Sequence, residues 1–149
     1  MTKIRITKEF GFECSHALKN YDGLCRNIHG HSYKLFVTVA GHVLNQENHP
    51  KDGMVMDFGD LKNIVFNEVI DKYDHTLVIN NNISDEEKEH YKKSTERIIF
   101  TPYQPTCENM VIDFAGKIRE RLPKHIELLS LTLYETPSSS AEWSAADNQ

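Results

Sequence analysis

From Lys3 to His16 the even positions read Ile4, Ile6, Lys8, Phe10, Phe12, Cys14 and His16, while Lys3, Arg5, Thr7, Glu9 and Glu13 take the odd ones. A period of two over this length is the signature of a strand with one buried face. His16 is the last residue in the apolar phase, so it is expected to reach inward from the strand's end. A second run, Ser32 to Val39, is rich in β-branched and aromatic residues, and side chains two apart on a strand share a face. His29 and His31 are thereby expected on one face, with His31 in phase with Tyr33, Leu35, Val37 and Val39. Two such strands must pack one side of a sheet against something, and if they pair antiparallel their histidines converge.

What covers that face follows from the helical periods. Asp57 reads as an N-cap, with Phe58, Leu61, Val65 and Val69 spaced for one face of a helix over about 58–72. Thr106 after Pro105 caps a second helix carrying Val111, Phe114, Ile118 and Leu122, which Pro123 ends. Asn20, Asp22 and Gly23 mark a loop, Gly41 to Gly53 is a polar excursion, and Ser84 to Lys93 suits a short exposed helix. A last strand begins near Ile126 with Leu129, Leu131, Leu133 and Glu135 in phase, and residues 138–144 suit a closing strand through Trp143. The expectation is a single α+β domain over 1–149, with helices on one face of an antiparallel sheet. Sheets of this kind leave edges, and pairing them between copies predicts a homo-oligomer.

A net charge of -5 lacks the basic excess of a nucleic-acid binder. No apolar run approaches the roughly 20 residues that cross a bilayer, and Met1-Thr-Lys-Ile-Arg-Ile lacks the apolar segment of a signal peptide. Three irregularly spaced cysteines argue for free thiols. A cytoplasmic protein without membrane or nucleic-acid partners is expected.

The chemistry concentrates in Cys25-Arg-Asn-Ile-His29-Gly30-His31. Three imidazoles, His16, His29 and His31, with an open fourth position describe a catalytic Zn²⁺ site, and an all-imidazole donor set suits that borderline cation. Gly30, having no Cβ, would let a substrate approach. Cys25 has three readings: a fourth ligand, an inert buried thiol, or a thiolate activated beside the metal. Cys14 is in the core phase, and Cys107, at a helix start, competes for the reactive role. Asp74-His75 is either a proton relay or a surface pair. Glu135 ends an apolar stripe and needs a complementary partner or solvent. His42, His49, His90 and His125 lack ligand spacing and are assigned as satisfied structural residues.

Read together, Phe12-Glu13-Cys14-Ser15-His16, Cys25-x-x-x-His29-Gly30-His31, Met56-Asp57-Phe58-Gly59-Asp60-Leu61, Asp74-His75, Pro105-Thr106-Cys107-Glu108-Asn109 and Glu135-Thr136-Pro137 resemble the 6-pyruvoyltetrahydropterin synthase and 6-carboxytetrahydropterin synthase family over nearly the whole chain. The resemblance implies the tunnelling fold: a four-stranded antiparallel sheet with two helices on one face, assembled into a barrel-like oligomer, commonly a hexamer, with active sites between subunits. It implies that His16, His29 and His31 hold Zn²⁺, that Cys25 is the catalytic thiolate, that Asp74 and His75 complete the proton relay, and that Glu135 anchors a pterin.

The three-residue gap between Cys25 and His29, and the Glu-Thr-Pro ending followed by Ala141-Glu142, are similar to the 6-carboxytetrahydropterin synthases of queuosine biosynthesis. Those convert 7,8-dihydroneopterin triphosphate to 6-carboxytetrahydropterin, acetaldehyde and triphosphate. The alternatives are the pyruvoyl product of the biopterin-type pathway and, more distantly, a non-catalytic metal or pterin-binding module. Lys19, Arg26 and Lys34 are the candidates for meeting the triphosphate. The connection at about 80–104 is longer than in compact members of the family, so a lid, an oligomer contact and plain surface are its possible roles.

Overall fold

The two alternating runs become the centre of the molecule. In the computed structural model, which describes residues 1–149, β1 (Lys3–His16) and β2 (His29–His42) pair antiparallel along their whole length. β5 (Glu127–Thr136) adds antiparallel to β2, and β6 (Ser139–Ser144) to β5. β3 (Thr76–Asn80) and β4 (Ile98–Thr101) lie on the other side of β1, both in parallel pairing, giving the order β4-β3-β1-β2-β5-β6. The sheet therefore has six strands and is mixed, which corrects the expectation of four antiparallel strands. The four antiparallel ones are present in order; β3 and β4 come from the region where the period is least legible.

Two helices cover one face. α1 (Phe58–Val65) runs on through a π-helical turn (Phe66–Ile70) into α2 (Asp71–Tyr73), and α4 (Cys107–Arg121) lies beside it. Asp57 accepts from the Gly59 amide and Thr106 from that of Asn109, so both expected caps form. Leu61, Val65, Val69, Met110, Phe114 and Ile118 are fully buried against Phe12, Tyr33, Leu35, Val37, Leu131 and Leu133, each side chain contributing about 1.5–3 kcal/mol. The π turn shifts the phase so that Val69 and Ile70 both face the core, while Phe58 lies half outside it. A bulge opposite Thr38/Val39 similarly turns Leu128, not Leu129, inward.

A third helix, α3 (Asp85–Ser94), opens on a Ser84/Glu87 capping box. Along β3 the alternation sends Val78 into the main core and Leu77 and Ile79 to a second cluster with Ala17, Ile83, Tyr91, Ile98 and Phe100. Helices thus lie on both faces of the parallel end of the sheet, as burial of parallel strands requires. No helix is long and apolar enough to cross a membrane.

Candidate metal centre and the clefts beside it

The antiparallel register brings the histidines together: His16 lies directly opposite His29, and Cys14 opposite His31. One ligand nitrogen from each of His16, His29 and His31 falls within 4.8 Å of the other two. The protonation pattern is set by carbonyls. His16 Nδ1–H donates to the Pro105 carbonyl at 2.6 Å and His29 Nδ1–H to that of Asn27 at 2.7 Å. Each ring then presents a lone pair at Nε2, and these two nitrogens stand 3.0 Å apart. Facing lone pairs repel unless a proton or cation lies between them. His31 Nε2 is buried with no hydrogen-bond partner. Burial holds His16 below the usual imidazole range, with the Pro105 carbonyl opposing, and burial does the same to His31 against Glu135. Two neutral imidazoles of fixed tautomer whose Nε2 atoms stand near the roughly 3.3 Å edge of a tetrahedron with zinc–nitrogen bonds of about 2.05 Å, with a third within 4.8 Å, are a donor set that suits Zn²⁺.

Glu135 meets the partner its position demands: its Oε1 lies 3.4 Å from His31 Nε2 and 3.5 Å from His16 Nε2. This carboxylate adds negative charge beside the triad and also lines a cleft of about 650 Å³ with His31, Lys34, Phe36, Tyr134 and Pro137.

Cys25 sits half-buried on a 3₁₀ turn (Leu24–Arg26), outside the three-imidazole cluster, and its carbonyl accepts from the Leu18 amide at 2.9 Å. The other thiols are disposed of by their surroundings. Cys14 donates to the Thr76 carbonyl and burial pushes it up to about 12. Cys107 donates to the Leu133 carbonyl and burial pushes it up to about 11. The helix start that argued for a reactive Cys107 is outweighed by burial.

Asp74 and His75 do form a pair, Asp74 Oδ2 to His75 Nδ1 at 3.0 Å. Burial opposes ionisation of Asp74, but the Glu13 amide and His75 outweigh it and hold the carboxyl below the usual range. Asp74 also accepts from the Glu13 amide at 2.9 Å, and the His75 amide donates to the Glu13 carbonyl at 2.6 Å. His75 lines a cleft of about 360 Å³ with Glu13, Ser15, Gly30, His31 and Ser32. Four of those residues are out of phase with the core, while His31 belongs to the triad, so this cleft opens beside the metal centre along the outer face of the sheet.

Of the cations considered for the triphosphate, Lys34 alone lines the cleft beside the triad, though like Lys19 with Glu87 it is paired with a carboxylate, that of Glu9 at 3.2 Å; Arg26 donates to the Gly23 carbonyl. The carbonyls of Pro105 and Asn27 that orient the imidazoles, and the Glu13 peptide that holds the acid–imidazole pair, were not legible as site elements. Only the turn-forming residues around them left a signal.

This fold and triad define a pterin-synthase class of protein: residues 5–146 match the family model described as 6-pyruvoyl tetrahydropterin synthase, and the chain belongs to that family. Among relatives, it is 36% identical over 144 residues to the 6-carboxy-5,6,7,8-tetrahydropterin synthase of Haemophilus influenzae, covering 93% of this chain and 97% of that one. It is 29% identical to the Aquifex aeolicus protein of the same name over 164 residues, covering 95% and 98%. Among solved structures, the 6-pyruvoyl tetrahydropterin synthase of Caenorhabditis elegans is similar with a TM-score of 0.66 and 26% identity, covering 97% of both chains.

Proposed function

We propose that the protein is a zinc-dependent 6-carboxy-5,6,7,8-tetrahydropterin synthase, converting 7,8-dihydroneopterin triphosphate and one water to 6-carboxytetrahydropterin, acetaldehyde and triphosphate in the cytoplasmic route to queuosine. The observation that carries this reading is the convergence of the three imidazoles, two of them with Nδ1 already committed to a carbonyl, in a chain whose relatives bear that enzyme's name. Zinc held by His16, His29 and His31 would supply Lewis-acid polarisation of the substrate's side-chain oxygens.

The chain's own residues do the rest. Cys25, the one thiol neither buried nor bonded to a core carbonyl, takes the proton from the substrate side chain. His75 carries Nδ1–H to the Asp74 carboxylate, which leaves Nε2 as the proton-carrying atom for the second transfer. Glu135 accepts from the ring nitrogens of the pterin, and Lys34 meets the triphosphate. His75 lines a cleft that also reaches His31 of the triad, and the pair serves a metal centre that lies between copies in a barrel-like homo-oligomer such as a hexamer.

Zinc content together with product identity by mass spectrometry, after incubation with the triphosphate substrate, tests this reading. The 6-carboxy product with acetaldehyde is expected; a 6-pyruvoyl product would move the protein to the branch named by its family and by the Caenorhabditis structure. Zinc with no pterin product would leave a binding module. Replacing Cys25 by Ala is expected to lower turnover at least about 100-fold with zinc retained; loss of zinc with the thiol would make Cys25 a ligand instead.

A further inference from the structure

The long connection between Asn80 and Gln104 does more than add α3 and β4. Its Arg97 reaches back to the turn that carries Asp74 and His75. Nη2 donates to the Asp71 carbonyl at 2.5 Å and lies 3.5 Å from that of Lys72, while Nε donates to Thr76 Oγ1 at 3.3 Å. Thr76 Oγ1 in turn donates to the Lys72 carbonyl at 2.9 Å. The guanidinium therefore bridges the last helical residues before the pair and the first strand residue after it.

The turn needs such a clamp. His75 has φ of 57°, a left-handed conformation that costs a non-glycine residue on the order of 1 kcal/mol and persists only where its surroundings hold it. The Glu13 peptide holds the turn from the β1 side, and Arg97 holds it from the other. The Arg97 backbone is itself fixed, its carbonyl accepting from the Leu77 amide at 3.0 Å. An arginine suits this position, since its rigid planar fork holds Nε and Nη2 in fixed directions toward separate acceptors, whereas an ammonium is a compact charge on a flexible stem with no such preset geometry, and a cation is favoured at a helix's carbonyl end. Arg97, Asp74 and His75 also line one small cleft of about 250 Å³ with Phe66, Ile70 and Asp71.

We propose that Arg97 is a positioning residue for the Asp74–His75 pair, so that the extended connection acts as a buttress for proton transfer. This rests on the assignment of His75 to proton transfer made above. Arg97 is exposed, so its replacement opens no cavity in the core, and an unchanged urea midpoint for each variant is the control for folding. The experiment compares zinc-loaded full-length wild type, R97A, R97K and H75A. For R97A the expected result is a fall in kcat of about 10- to 100-fold, with KM within about twofold and zinc content unchanged, and partial recovery on adding guanidinium ion. R97K, lacking the fork, stays close to R97A. Amide exchange of residues 74–76 in R97A rises above wild type while that of α4 does not. A kcat for R97A within about twofold of wild type, or unaltered exchange at 74–76, overturns the proposal. If R97A is active and H75A is not, only the role of Arg97 falls; if H75A itself turns over normally, the proton-transfer assignment falls and takes this proposal with it.

Discussion

His16 shows how a single residue is specified from several directions. Its strand phase turns it inward, the antiparallel register sets it against His29, and the Pro105 carbonyl fixes its tautomer. Only the first of these is local, and it alone was readable from the sequence. The same holds for His31, whose buried Nε2 has no hydrogen-bond partner in the protein. Its replacement by Ala should weaken zinc retention roughly 10- to 100-fold or more against a chelator, while removing a polar atom from the interior costs little stability; equal zinc affinity in the variant would refute the three-imidazole site. Cys107 marks the opposite case. Its place at a helix start is a local property that suggested reactivity, but its burial under β5 is a tertiary one and decides the matter.

Between elements, one carboxylate joins three pieces. Asp113 of α4 accepts from Tyr73 at the end of α2 at 3.1 Å, from Tyr103 in the loop after β4 at 2.7 Å, and from Lys117 one turn along at 2.5 Å. Burial opposes its ionisation, but Lys117 and Tyr103 outweigh burial and hold the carboxyl below the usual range. A folded-state value below the unfolded one gives stability that is complete above the unfolded value, near 4, and fades as pH falls through the folded value. Asp113→Asn should therefore lose about 1–3 kcal/mol at neutral pH and show a flatter decline in urea midpoint below about pH 4 than wild type. A parallel decline in both proteins would show that Asp113 does not couple these elements to pH. The caps at Asp57, Ser84 and Thr106 were legible because capping is a contact within four residues. The π turn and the β5 bulge were not, since each answers to packing across the core rather than to its own residues.

For the whole molecule, the faces of the sheet decide where the chemistry can meet. The imidazoles follow the core phase, whereas His75 opens among the out-of-phase residues Glu13, Ser15, Gly30 and Ser32, with His31 at the edge of the same cleft. The proposed sharing of the site between copies predicts complementation: C25A and H75A, each expected to be inactive under that proposal, should recover about a quarter of wild-type turnover when subunits are exchanged at equal amounts, the chance that random pairing joins two intact contributions. No recovery despite proven exchange would place both groups in one chain. By itself the sequence determined the two long strands, the capped helices and the inward-facing histidines, because periods and caps are properties of neighbouring residues, and it put Glu135 at the end of an apolar stripe without choosing between solvent and a partner. Only the tertiary structure decided that β3 and β4 join in parallel, that Pro105 and Asn27 aim the imidazoles, and that Arg97 braces the turn at Asp74 and His75. Those contacts join residues far apart in the chain, and local pattern carries no record of which distant backbone a segment will meet.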